Sequence, residues 1–309
     1  MLLQIGMIIA GVVLVLWGAD RLTDGAVALA ERMKISQMVI GLTIVAVGTS
    51  APEFCVSLVS ALKGTADLAV GNVVGSNIFN TMLITGVAAM VTPMTILPST
   101  VRQDIPIAVV ASVLLMVMVI TDGDLSRFEA AVLLLGFAAF MWLTLRRAKG
   151  QGEEAAATKS YSVGRSLLLL VGLACLVVGS NIFVDGATEV AARLGVSEAV
   201  IGLTVVAGGT SLPELATSVV AARKGNSGIA IGNVLGSYVM NILLILGGAG
   251  LICPMTVVGI TIVDFAVLTG SILLLWLFAN TKLTLARWEG VVLTALFLAY
   301  MTWLVSQVV

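Results

Sequence analysis

Apolar residues dominate this chain in long runs separated by short polar gaps. In the first half the runs cover residues 5–19, 35–62, 68–91, 105–120 and 128–145. Helices that cross a bilayer need about 20 apolar residues, whereas barrel strands need about 10 in strict alternation, so the runs predict helices. Residues 146–165 break the pattern with Arg146, Arg147, Lys149, Glu153, Glu154, Lys159 and Arg165, a linker composition too short for a folded domain. Beyond it the pattern starts again. Ile40-Gly41-Leu42-Thr43 returns as Ile201-Gly202-Leu203-Thr204, Asp24-Gly25-Ala26 as Asp185-Gly186-Ala187, Gly64 as Gly225 and Pro93 as Pro254, each displaced by 161 positions. Arg127 and Glu129 return as Arg287 and Glu289 with a slip of one, so the repeat spans nearly the whole of each half. The run at 5–19 resembles a signal peptide only in its apolarity. No basic residue precedes it and it has a counterpart at 166–180, so it is expected to be part of the mature fold.

The pattern predicts an all-α membrane protein with ten transmembrane helices. A first five-helix repeat covers 1–147, a short linker 148–164, and a second five-helix repeat 165–309. An odd number of spans per repeat turns the second copy upside down in the membrane, an inverted-repeat architecture with broken helices in its core. Charge agrees with this reading. Thirteen of the 16 Lys and Arg residues fall in the loops after odd-numbered spans, which places the linker in the cytoplasm and both termini outside.

Composition narrows the chemistry. With 59% hydrophobic and 11% charged residues the chain is far from a soluble domain. It has no histidine, and its three cysteines are scattered through apolar runs, so neither imidazole ligands, histidine proton relays nor a disulfide framework is available. Any ion chemistry must use oxygen. No cofactor and no nucleic-acid partner is expected; the bilayer is the partner that the composition implies.

The candidate site is a stretch that occurs twice. Gly48-Thr49-Ser50-Ala51-Pro52-Glu53 returns as Gly209-Thr210-Ser211-Leu212-Pro213-Glu214, each copy inside a membrane run. On a helical turn Thr49 and Ser50 lie four and three residues before Glu53, so two hydroxyls and a carboxylate can share a face. Pro52 removes an amide donor and is expected to free carbonyls such as that of Ala46. In the following run Ser76 and Asn80 are four apart and add a hydroxyl and a carboxamide. The second half offers Ala207, Thr210, Ser211, Glu214, Ser237 and Asn241 by the same logic. Inverted copies would bring Glu53 and Glu214 together, and two like charges there call for a cation; Ca2+ takes about 6–8 oxygens, and Na+ uses the same ligand types with less charge. Gly71 with Gly75, and Gly232 with Gly236, are spaced for close helix packing.

The paired Gly-Thr-Ser-x-Pro-Glu and Gly-Asn-x-x-Gly-Ser motifs resemble the two alpha-repeats of the sodium/calcium exchanger family in its short prokaryotic form. The resemblance implies a cation antiporter in a prokaryotic inner membrane, with a four-helix core from spans two, three, seven and eight. Spans one and six would slide across that core to alternate access. It also carries over Ala46, Thr49, Ser50, Glu53, Ser76, Asn80, Ala207, Thr210, Ser211, Glu214 and Ser237 as ion ligands. The chain departs from the family at Tyr238, where asparagine is common, and at Asn241, where aspartate is common. Two core carboxylates remain, matching one Ca2+ or two Na+ and leaving the coupling stoichiometry open. Exchange of Ca2+ for Na+ is the leading reading, and a proton-coupled exchanger its nearest rival. An ion channel fits inverted repeats around one site less well, and an intramembrane hydrolase lacks an assembled nucleophile and base.

Other polar positions have plainer expected roles. Thr43 and Thr204 are expected to bond back to their own helices. Asp24 and Asp185 are expected to be solvated or capping. Asn72 and Asn233 could brace unwound backbone, and Asp104, Asp122, Asp124 and Asp264 read as loop or interfacial charge. Cys55 is expected to pack as a small hydrophobe. The linker holds no recognisable regulatory domain, so a stand-alone transporter without cytosolic calcium control is expected.

Overall fold

The computed structural model describes residues 1–150, 163–195 and 207–306. Among these it is almost wholly helical. Eight helices are long and apolar enough to cross a membrane, and one bent pair would make a ninth span. In chain order they are α1 (Leu2–Met33), the bent pair α2 (Gln37–Thr49) and α3 (Ala51–Leu62), α4 (Ala66–Val91), α5 (Thr100–Asp122) and α6 (Arg127–Gly150). After the linker follow α7 (Val163–Arg193), the short α8 (Ala207–Thr210), α9 (Leu212–Arg223), α10 (Ser227–Ile252), α11 (Ile262–Lys282) and α12 (Arg287–Ser306).

Burial separates these helices into layers. The most hydropathic window of α10 is 94% buried and that of α4 72%, whereas those of α1, α6 and α12 are 22% buried. Helices apolar all round can do either job in a bilayer; what distinguishes α4 and α10 is their small and polar residues, which would be costly against lipid. On α10, Gly232 and Gly236 admit the backbone of α2, and a Cβ on Gly236 would meet Leu42 O at 2.7 Å. Gly71 and Gly75 do not show the same packing among the described residues: Gly71 meets only the Ile260 side chain and Gly75 nothing within 4 Å.

A second seam joins α1 to α7. At spacings of seven residues on α1, Gly11 faces Gly179, Gly18 faces Gly172 and Gly25 faces the backbone of Leu168 and Leu169 on α7, and the two backbones approach too closely for any side chain. A Cβ on Gly18 would sit 2.8 Å from Gly172 O, and one on Gly172 would sit 2.3 Å from Leu22 N. Without a hydrophobic drive between helices in lipid, such close van der Waals contact is what holds them together.

Four two-residue strands, β1 (Met94–Thr95), β2 (Asp124–Leu125), β3 (Met255–Thr256) and β4 (Thr284–Leu285), pair antiparallel across the halves. β1 pairs with β4, with Met94 opposite Leu285, and β2 pairs with β3, with Leu125 opposite Met255. Because β1 precedes α5 and β2 follows it, the two pairs lie at opposite ends of that helix. Each end is therefore clasped by one strand from each half. Glu129 and Glu289 act locally: each accepts a backbone N–H three residues earlier, from Ser126 at 2.8 Å and Ala286 at 2.7 Å, and caps its helix N-terminus.

Two aspartates differ from the expectation of loop charge. Asp104 is 2% exposed and pairs with Arg147 at 2.9 Å, tying the start of α5 to the end of α6. Asp264 is 8% exposed; it closes a capping box with Thr261 and accepts the Tyr300 hydroxyl at 2.7 Å. In both cases the partner that makes burial tolerable comes from another part of the chain. Asp122 is exposed and Asp124 half-buried, as expected of loop positions. Cys55 is exposed on the outer surface of α3 and not packed inside.

Gly18→Val and Gly172→Val should each lower the thermal unfolding midpoint in detergent, since overpacking a tight contact costs about 1–3 kcal/mol or more. Gly6→Ala, at a glycine on α1 with nothing within 4 Å, is the control and should leave the midpoint unchanged.

Candidate functional site

The repeated stretch breaks its helix in both halves. Ser50 (φ −82°, ψ 8°) separates α2 from α3 with a bend of 50°, and Ser211 (φ −90°, ψ 6°) separates α8 from α9 in the same conformation. Pro52 and Pro213 stand in the first turn after each break, where a missing amide costs least. The carbonyl that loses its helical donor is the one four residues before each proline. For Pro213 that is Gly209, whose oxygen accepts the Ser180 hydroxyl of α7 at 2.5 Å. For Pro52 it is Gly48, and Ala19 stands in α1 where α7 has Ser180. The Ala46 carbonyl is not freed as expected: it accepts the Ser50 amide at 3.0 Å, and the Thr49 hydroxyl lies 3.5 Å away.

The two breaks cross each other. Ser50 Oγ lies 3.0 Å from Oε1 of Glu214, and Ser211 Oγ lies 3.0 Å from Oε1 of Glu53. Each serine thus donates to the carboxylate of the opposite half. The same serines reach the neighbouring helices, Ser50 to Ser237 at 2.8 Å and Ser211 to Ser76 at 3.4 Å. A hydroxyl has one proton to give, so Ser50 shares its proton between the Glu214 carboxylate and the Ser237 hydroxyl. Thr49 donates to Asn233 at 2.9 Å, and Thr210 borders the Glu53 carboxylate.

Asn72 and Asn233 brace the breaks. Asn72 Nδ2 donates to the Glu53 carbonyl at 3.2 Å and to Ser57 at 2.9 Å; Asn233 Nδ2 donates to the Glu214 carbonyl at 3.4 Å and to Ser218 at 3.1 Å. Ser57 and Ser218 were not singled out from the sequence, although they too are 161 positions apart. Thr43 bonds back to Val39 at 2.6 Å as expected, while Thr204 lies outside the described residues.

Glu53 and Glu214 are each 1% exposed. One oxygen of each is bonded to a serine, and the other, Oε2, has no partner among the described residues; Oδ1 of Asn80 and Oδ1 of Asn241 are likewise buried without partners there. Asn80 and Asn241 stand in wide π-helical turns, over Phe79–Ile84 and Asn241–Leu246. The turn carrying Asn80 packs on α9, which holds Glu214, and the turn carrying Asn241 packs on α3, which holds Glu53. Buried unpaired acceptors are rare because each forfeits its hydration. Four of them in matching positions form a donor set that lacks a positive charge. Of the expected ligands, Thr49, Ser50, Glu53, Ser76, Ser211, Glu214, Ser237 and Asn241 are thereby linked in one hydrogen-bonded and packed cluster with Asn80 and Thr210. Ala46 is buried at its edge, and the backbone of Ala207 begins α8 beside it.

Comparison with known proteins settles the family. The model of the sodium/calcium exchanger protein family matches residues 3–146 and 165–306. The chain belongs to the sodium/calcium exchanger family. It is similar to the sodium/calcium exchanger MaX1 of Methanosarcina acetivorans, 32% identical with 95% of this chain and 96% of that protein covered. The inner membrane protein YrbG of Escherichia coli is 39% identical over 82% of this chain and 81% of its own length. Among solved structures, the sodium-calcium exchanger NCX_Mj soaked with Na+ and Ca2+ superimposes with a TM-score of 0.86 at 32% identity, covering 97% of this chain and 98% of that one. The family is one of transporters and not of enzymes, and the exchanger is an integral, multi-pass membrane protein.

Ser50→Ala and Ser211→Ala should weaken Ca2+ binding by similar factors, about tenfold, because each removes one hydroxyl oxygen from the donor set around the carboxylates. Ca2+ titration of the melting midpoint reads this. A large effect of one substitution and none of the other would contradict the reciprocal crossing.

Proposed function

We propose that this exchanger moves Ca2+ against Na+ by alternating access at the crossing of the two breaks. The observation that carries the reading is the set of four partnerless buried oxygens, on Glu53, Glu214, Asn80 and Asn241. A cation would satisfy all four, and Ca2+ in particular takes many oxygens including carboxylates. The ligands are Thr49, Ser50, Glu53, Ser76, Asn80, Thr210, Ser211, Glu214, Ser237 and Asn241, with the carbonyl of Ala207 and the second lone pair of the Ala46 carbonyl, whose first accepts the Ser50 amide. Two carboxylates balance one Ca2+ or two Na+.

The architecture proposed for this exchange is ten spans in two inverted repeats, 1–147 and 165–309, joined by a cytoplasmic linker over 148–164. The remaining span would end in α8 and α9; the residues before α8 lie outside those described. Reciprocal strand pairing and a family match that falls on each half separately support the division. The charge distribution supports an orientation with both termini outside.

Unequal packing at the two ends supports alternating access. Thr95 of β1 donates its amide to Ser227 beside Lys224, so Lys224 lies at the β1/β4 end, which is also the end of the Asp104–Arg147 pair and of the linker. There Lys224 bridges Asp20 at 2.6 Å and Asp24 at 2.7 Å, and α1 packs along α9. The equivalent residues at the other end are Lys63 and Asp185. Both are exposed, they form no ion pair among the described residues, and α7 makes no comparable contact with α3. Ion pairs and packing at the linker end, against looser packing at the opposite end, support an outward-facing form. Asp24, expected to be solvated or capping, thus serves as half of a latch.

Radioactive Ca2+ uptake into Na+-loaded proteoliposomes tests the exchange. Uptake should collapse when external Na+ matches internal Na+, and Glu53→Gln or Glu214→Gln should abolish it. Uptake that ignores Na+ and follows an imposed pH gradient would overturn Na+ coupling in favour of proton coupling.

A second measurement addresses the latch. In a background lacking Cys55, Cys175 and Cys253, a Lys63→Cys/Asp185→Cys pair should cross-link slowly. Adding Asp20→Asn and Asp24→Asn should speed cross-linking roughly threefold to tenfold, since partly exposed ion pairs are worth about 0.2–1 kcal/mol each. An unchanged rate would rule out the latch.

A further inference from the structure

Asn77 is fully buried in α4, beside the ligand set and outside it. Its side chain stands between two groups of α10. Nδ2 donates to the Tyr238 carbonyl at 3.1 Å, and Oδ1 accepts Nδ2 of Asn241 at 2.9 Å. The direction of this short chain is not a matter of choice. A backbone carbonyl can only accept, so Asn77 must turn its NH2 to Tyr238 and its oxygen to Asn241. Asn241 must then meet that oxygen with its own NH2, which leaves Oδ1 as the buried atom without a partner. One carbonyl of α10 thereby sets, through Asn77, which atom of Asn241 is offered to a ligand.

The equivalent arrangement in the other half is missing. The residue 161 positions from Asn77 is Tyr238, and its side chain turns away from the crossing to donate to the Leu268 carbonyl of α11 at 3.3 Å. Asn80, the counterpart of Asn241, makes no side-chain hydrogen bond among the described residues. The ligand set therefore contains one carboxamide held in a single orientation by a side chain and one without such a hold among the described residues. Thr81 gives α4 a further hold near this point, with its hydroxyl 2.7 Å from Ser271 of α11, so the backbone that carries Asn77 is itself anchored.

We infer that Asn77 is a positioning residue for cation binding: it holds the Asn241 carboxamide with its oxygen toward the ion. This rests on the exchanger reading of the site. Freeing Asn241 lets its NH2 face the cation half of the time and adds the cost of ordering the side chain when an ion arrives. The loss should appear in ion affinity and not in the maximal rate of a saturated transporter.

The test is a double-mutant cycle with Asn77→Ala, Asn241→Ala and the double substitution in the full-length protein. It is read by Ca2+-dependent shift of the melting midpoint and by KM and maximal rate of Ca2+ uptake. Asn77→Ala should weaken Ca2+ binding about fivefold to tenfold, raising KM with little change in maximal rate. In the Asn241→Ala background the same substitution should have almost no further effect on Ca2+ affinity. Factors that multiply instead would overturn the inference, as would an Asn77→Ala protein with unchanged Ca2+ dependence. If Asn77→Ala does not fold, Asn77→Ser takes its place; its hydroxyl keeps a donor for the Tyr238 carbonyl but is too short to hold Asn241, and the same cycle applies. Glu53→Gln separates the two levels. Loss of the Ca2+ response in Glu53→Gln with a normal response in the Asn77 variants refutes the role of Asn77 alone, whereas a normal response in Glu53→Gln refutes the exchanger reading.

Discussion

A carboxylate taken out of water must find a compensating charge or enough hydrogen-bond donors, and a bilayer interior offers it neither. This exchanger buries two. The answer built into the fold is partial: each glutamate receives one hydroxyl from the opposite half, and one oxygen of each is left over. Nearly everything else follows from arranging that incomplete satisfaction. The helices break at Ser50 and Ser211 so that these side chains can cross, prolines sit where a lost amide does least harm, and Asn72 and Asn233 tie the carbonyls of the glutamates to their own halves. Full satisfaction by protein groups would have made a stable core and removed the reason for an ion to enter.

Membrane helices supply little of their own adhesion, so the positions of small residues decide where backbones meet. The molecule uses two seams of different kinds. The one between α10 and α2 is flanked by polar residues and places the crossing. The one between α1 and α7 is lined with glycine and carries no ligand. A polar seam with directional bonds fixes a register, whereas a smooth glycine seam joins two helices into one body.

Much of this was open to reading in the sequence, because the constraint is local and occurs twice. The apolar runs and the twice-occurring Thr-Ser-x-Pro-Glu stretch point to the helices and to the oxygens that the structure brings together. What could not be read depends on partners distant in the chain. Asp104 looks like loop charge until Arg147, 43 positions on, is found beside it. Pro52 takes the amide donor from the carbonyl four residues back, which is that of Gly48, while the Ala46 carbonyl keeps the Ser50 amide. Lys224 and Asp24 are 200 positions apart, and no periodicity links them. The seven-residue glycine spacing in α1 was visible, but its meaning requires knowing that α7 lies opposite.

The glycine seam has a consequence for tightness. Helices α1 and α7 are in contact along their length and antiparallel, so under the proposed alternating access they would shift across the core as a single beam. A beam that draws closer to α9 at the linker end draws away from α3 at the other, and the reverse. No relay is needed to tell one gate what the other is doing. The state to be feared in any coupled transporter is the one with both ends open, since it would let each ion run down its gradient and waste the other's. Here that state would require the two helices to part from each other, and the close contact of bare backbones is what opposes it.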